Sequence, residues 1–297
     1  MLPGQKLHLS SDGFLGEFST AVPNPSESFM PCQPLSQFIA DGLPQCVRLI
    51  ATDMDGTLTQ QGKFTPSLLQ ALEDLAAADI KVLIVTGRSA GWVSGLVSYL
   101  PLVSVIAENG GLFYPNDSEA PIALTPLPDL NAHRRHLAEA FTQLQTEFPQ
   151  ISESADNCFR LTDWTFDVRG LSQVQLQRLG SLCHHLGWGF TYSNVQCHIK
   201  PLNQDKATGL LQVWHDRFPE YTEAQIVTVG DSPNDETLFN PSFFPVSVGV
   251  ANVLRYTNQL THLPTYVTTA AEGEGFGELA KYLLDSTLGI QAAINSV

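Results

Sequence analysis

The chain has 297 residues, 43% hydrophobic and 15% charged, which supplies a substantial core and excludes a charge-solvated disordered polymer. A formal net charge of −15 disfavours nonspecific attraction to nucleic acid or anionic membrane, so any anionic substrate needs a local cation. Five scattered cysteines without a CxxC pair exclude a disulfide framework or zinc ribbon; with no apolar run of about 18 residues and no signal-peptide pattern, a cytoplasmic protein without a membrane partner is expected.

Residues 1–44 are rich in Pro, Ser, Gly and Asn and lack periodicity, so they read as a partly disordered extension. The character changes at Cys46. CVRLIATDMDG is an apolar run ending in acidic residues and Gly, the pattern of a buried strand delivering a polar loop. Thr65-Pro66 forms an N-cap and first helical position, with Leu68, Leu69, Leu72 and Leu75 at helical spacing behind it. IKVLIVTG is a second buried strand, a helical segment follows Arg88, and VSVIAENGG is a third strand with a turn. Strands alternating with helices predict a Rossmann-like parallel sheet with helices on both faces.

The alternation then pauses. Residues 115–128 hold four prolines and read as a linker. Leu137, Phe141, Leu144 and Phe148 mark a helix, FRLTDWTFDVRG a strand region, Leu171–Leu186 a second helix, and GFTYS and VQCHIK two further strands. This is an inserted α+β unit over 125–200, so the core takes 45–124 and 201–290. After the insert, DKATGLLQVWHDRF is helical, QIVTVGDSPND repeats the strand-to-acidic-loop pattern, FFPVSVGV is a strand, and Phe276–Leu284 a closing helix.

The chemistry sits at strand ends. Asp53 and Asp55, two apart with Gly56 in a tight turn, can divide nucleophilic attack and proton transfer between two carboxyls. Asp231, Asn234 and Asp235 form a second acidic loop. One such loop is ordinary; two at equivalent ends of a sheet create a carboxylate cluster suited to magnesium, which would also offset repulsion of a phosphate. Thr86 and Gly87 end the second strand and open a helix, an anion-binding arrangement, while Lys206 heads the resumed core. Taken singly, Thr-Gly-Arg is an ordinary helix cap and Lys206 an ordinary surface lysine. Their order in the chain is the signal.

DMDGT at 53–57, TGR at 86–88, Lys206 and GDSPND at 230–235 resemble the four ordered motifs of the haloacid dehalogenase-like superfamily. The insert resembles the C2B cap of its subfamily IIB, the Cof-like and sucrose-phosphate phosphatase-like branch. The resemblance implies Asp53 as nucleophile and metal ligand, and Asp55 as general acid/base with its backbone carbonyl on the metal. It further implies Asp231 as third ligand, Asn234 and Asp235 as support for the metal shell, and Thr86, Gly87 and Lys206 as phosphate holders. The implied activity is Mg2+-dependent hydrolysis of a small phosphomonoester, such as a sugar phosphate, through an aspartyl-phosphate. A phosphomutase or phosphotransferase sharing that intermediate, and a silent binding protein of the same fold, are the alternatives. Dehalogenase members lack the second carboxyl. In the cap, Arg160, Trp164 and His198 are candidates to meet substrate, and His198 has no partner legible from sequence.

Overall fold

A computed structural model of the chain describes residues 32–117 and 120–294. Most of the extension expected over 1–44 lies outside the described residues. Its last part is ordered against the core: β1 (Gln33–Pro34) pairs in parallel with Tyr266–Val267, and α1 (Leu35–Ala40) buries Leu35 and Phe38. The Phe38 ring meets Tyr266 edge-on at 5.3 Å.

The core alternates as its apolar periodicity predicts. β2 (Leu49–Thr52) is followed by α2 (Pro66–Ala77), whose cap Thr65 accepts from the Leu68 amide at 3.2 Å. β3 (Lys81–Val85) leads not into one helix but into two short ones, α3 (Ala90–Val93) and α4 (Leu96–Tyr99), broken near Gly95. β4 (Ser104–Ala107) and β5 (Leu112–Pro115) form a hairpin. The proline-rich stretch read as a linker contributes β6 (Ile122–Ala123), which extends the sheet edge beside β5.

The insert carries α5 (Leu130–Glu147), β7 (Trp164–Asp167), α6 (Gln173–His185), β8 (Gly189–Tyr192) and β9 (Gln196–Lys200). Its antiparallel sheet runs β7-β9-β8, and Leu137, Phe141, Leu144, Leu176 and Leu179 of the helices pack onto Phe166, Cys197 and Ile199. The core then resumes with α7 (Lys206–Arg217), β10 (Ile226–Gly230), β11 (Ser247–Gly249), β12 (Tyr266–Val267) and α8 (Glu272–Ile294), the last longer than its apolar spacing indicates.

The core sheet has the order β1-β12-β11-β10-β2-β3-β4-β5-β6, parallel from β1 to β4 and antiparallel beyond. Because successive strand residues face opposite ways, Ile50, Val82, Ile84, Val227 and Val229 pack on the layer of α2 and α8. Leu49, Ala51, Leu83, Val85 and Ile226 pack instead on that of α7. Burial on both faces explains the uninterrupted apolar runs. The fold is therefore a Rossmann-like sheet with helices on both faces and an inserted α+β cap. β2 and β10 are adjacent and in register, with Thr52 opposite Val229, so their acidic loops leave the same rim side by side. Among the described residues, no helix is long and apolar enough to cross a membrane.

Candidate active site

Asp53 leaves β2 with its amide donating to the Val229 carbonyl at 2.8 Å, which stitches the first loop to β10. Gly56 then turns at φ +86°, and a Cβ there would stand 2.6 Å from Asp231 Oδ2. Only glycine permits this approach. Asp231 accepts from Thr57 Oγ1 at 3.1 Å and from Asn252 Nδ2 at 2.7 Å, and Asn252 also donates to the Gly56 carbonyl at 3.0 Å. Asp53, Asp231 and Asp235, all buried, offer carboxylate oxygens within 4.8 Å of one another.

Lys206, fully buried at the start of α7, donates to Asp53 Oδ1 and Asp235 Oδ1 at 2.5 Å each. Its pKa rises despite burial because these two carboxylates stabilise the ammonium. Burial lifts Asp53 to about 7 against the pull of Lys206, with the charge of Asp235 adding to the rise. Burial and the charges of Asp53 and Asp235 likewise push Asp231 well up. A hard dication would relieve both penalties, and carboxylate oxygens are the donors magnesium prefers. Asp235 is placed for support: Oδ1 is taken by Lys206 and Oδ2 by the amides of Asp231 and Ser232 at 2.9 and 3.1 Å.

The Asp55 side chain lies outside this carboxylate group. Arg88 Nε and one terminal nitrogen donate to its two oxygens at 2.7 and 2.6 Å. Thr86 is buried at the end of β3, its hydroxyl accepting from the Arg88 amide at 3.1 Å. Asn234 donates to Asn109 Oδ1 at 3.1 Å, while Asn109 Nδ2, buried beside Gly87, has no partner among the described residues.

The cap closes the rim. Asp53, Asp55, Thr86, Gly87, Arg88 and Asn234 form the floor of a narrow cleft of about 20 Å³, and Ser193, Val195, Gln196 and His198 its roof. His198 Nδ1 lies 2.8 Å from Asp163 Oδ2, the partner that sequence left unassigned. Burial and, after it, the neighbouring cations Arg160 and Lys206 lower the His198 pKa, against Asp163. Burial opposes ionisation of Asp163, yet Arg160 and His198 hold its carboxyl below the usual range. Arg160 stands behind the roof: it is fully buried and donates to Asp163, Asp156, Gln196 and the Gly87 carbonyl, each at 2.9 Å. Trp164 does not line the cleft. It packs beside Phe141, under the Arg134 guanidinium at 4.6 Å.

The profile of the haloacid dehalogenase-like hydrolases matches residues 50–163. The chain is 28% identical over 242 residues to a phosphoglycolate phosphatase of Methanothrix thermoacetophila, covering 80% of this chain and 97% of that protein. It is 24% identical to phosphoglycolate phosphatase 2 of Saccharolobus solfataricus, over 83% and 96% of the two chains. Among solved structures, a protein of Thermoplasma acidophilum superposes with a TM-score of 0.65 at 21% identity, covering 80% of this chain and 98% of that one. The C-terminal domain of the C. albicans trehalose-6-phosphate phosphatase gives 0.65 at 14% identity, over 88% and 99%. These likenesses in structure concern the fold. Over residues 50–163 this chain resembles the haloacid dehalogenase-like hydrolases.

Several residues around the cleft were not singled out in the sequence. Asn252, which grips Asp231, follows β11 in a short helical turn with no motif around it. Gln196 and Ser193 reach the roof through the pairing of β8 with β9, a register that no local pattern encodes. Glu108 is also buried, at φ +52°, and accepts from the amides of Ala90, Leu161 and Thr162, tying α3 to the chain that enters β7. ENGG drew attention only as a turn.

Proposed function

We propose that this phosphatase of the haloacid dehalogenase-like family hydrolyses a phosphomonoester of a small metabolite with Mg2+, through an aspartyl-phosphate on Asp53. The observation that carries the reading is the placement of Asp53 against Asp231 and Lys206 at the rim of the sheet, under the cap. Asp53, Asp231 and the backbone carbonyl of Asp55 would hold the ion, with Asn234 and Asp235 orienting its shell. Bound there, magnesium supplies charge neutralisation for carboxylates and phosphoryl oxygens alike.

The residues divide the work as follows. A carboxylate oxygen of Asp53 bonds to phosphorus while the ester P–O bond breaks, and Asp55 delivers its proton to the departing oxygen. Asp55 then takes a proton from water as that water attacks phosphorus; the bond to Asp53 breaks, inorganic phosphate forms and Asp55 is reprotonated. Thr86, the Gly87 backbone and Lys206 hold the phosphoryl oxygens. The cap residues over 125–200 exclude bulk water and shape the leaving-group side.

The cleft under the cap holds only about 20 Å³ of free space, roughly room for one water, so any phosphate ester enters as the cap opens. Phosphoglycolate, the substrate in the names of the matched relatives, is the first ester to assay, with sugar phosphates beside it. The expected outcome is magnesium-dependent phosphate release that Asp53→Asn abolishes. Undiminished turnover by folded Asp53→Asn would remove Asp53 as nucleophile.

A further inference from the structure

The reaction above gives Arg88 no task, although Arg88 holds the very group that must move a proton. Its guanidinium fork occupies both oxygens of Asp55, at 2.7 and 2.6 Å. A general acid must come within about 2.6–3.2 Å of the oxygen it protonates. With both Asp55 oxygens engaged by Arg88, the pair has to open before the leaving group can be served.

Its surroundings show what could open it. The pair is partly exposed, 29% for the Arg88 side chain and 18% for Asp55, at the edge of the cleft. The other basic side chains nearby are committed. Lys206 bridges Asp53 and Asp235, His198 is bound to Asp163, and Arg160 is buried among four acceptors. Arg88 also has an apolar seat outside the pair, its guanidinium lying 5.2 Å from the centre of the Trp92 ring. In a chain of net charge −15, Arg88 is thus the cation available to a second anion on the substrate.

We propose that Arg88 selects substrates whose leaving group carries a carboxylate, and that binding this carboxylate frees Asp55 for proton transfer. The substrate class is then the phosphate ester of a short hydroxy acid. The inference rests on the phosphatase reading and sharpens it. A carboxylate offers the fork a planar bidentate partner equivalent to Asp55, so one pairing is exchanged for another. A neutral leaving group offers none and must break the pair uncompensated. A hydrogen bond between charged groups corresponds to roughly 10–100-fold in an equilibrium, which sets the expected preference.

The test compares phosphoglycolate with ethyl phosphate, which lacks the carboxylate, using the full chain with magnesium. Wild type should prefer phosphoglycolate by about 10–100-fold in kcat/KM. Arg88→Gln should erase that preference by raising KM for phosphoglycolate while kcat for ethyl phosphate rises. Arg88→Lys, which keeps the charge without the fork, should recover part of the phosphoglycolate KM. Equal losses on both esters in both variants would make Arg88 a structural residue and overturn the proposal. So would the absence of any preference in wild type. Folding of each variant is checked by its melting curve. Failure of wild type to release phosphate from any ester would sink the phosphatase reading as well, so the two failures are distinct.

Discussion

The core sheet and the cap sheet reach the same cleft by different physical routes. In the core, parallel strands end together, so residues 178 positions apart in sequence, Asp53 and Asp231, meet because β2 and β10 are neighbours in register. In the cap, antiparallel strands present one side-chain face, and His198 takes its place through the pairing of Thr165 with His198 across β7 and β9. Charge is treated differently as well. The core gathers carboxylates that burial pushes toward neutrality, whereas Arg160, Asp163 and His198 in the cap satisfy one another. The core site is electrostatically incomplete without a cation, whereas the cap network pairs its charges internally and leaves Arg160 Nε without a partner among the described residues.

That contrast can be broken in stages. Asp53→Asn should lower kcat by about 10⁴-fold or more without lowering the melting temperature, since a neutral amide avoids the cost of ionising a buried carboxyl. Asp163→Ala should do the reverse in kind. It leaves a buried guanidinium short of its partner, so a loss of about 3–5 kcal/mol in denaturant-measured stability is expected.

A pH series sharpens the same point. Asp53 has its pKa raised from 3.8 to about 7, so the folded metal-free chain retains a proton that the unfolded chain releases. The associated stability is fully present below about pH 4 and is lost as pH rises through about 7. Thermal melts in EDTA should therefore fall across that window. The increase on adding magnesium should be larger at pH 8 than at pH 5, and an increase independent of pH would contradict the site. The smallest effect belongs to Trp164→Phe. With Trp164 outside the cleft and its Nε1 unpartnered among the described residues, stability should change by less than about 1 kcal/mol and KM not at all.

Much of the core was legible because strand ends announce themselves. An apolar run buried on both faces, followed by an acid and a glycine, marks where a parallel sheet delivers its loop, and Asp53, Asp231 and Lys206 lie together on that account. The cap was legible as helices and strands but not as a site, because its contacts depend on strand register. His198 and Asp163 are 35 residues apart with nothing local to join them. Trp164, named as a candidate to meet substrate, stands outside the cleft for that reason: alternation along β7 turns it toward Phe141 and Arg134. Arg88 was read as part of an anion-binding turn, whereas its side chain crosses to another loop to meet Asp55.

The approach of Gly56 to Asp231 limits substitution. A methyl group at position 56 would strike that carboxylate at 2.6 Å, so no single replacement there is free of collision. Removing the acid at 231 would relieve the nearest collision, yet the φ of +86° and Asn194 at 3.0 Å would still hold position 56 to glycine, so this turn is fixed by its backbone as much as by its neighbour.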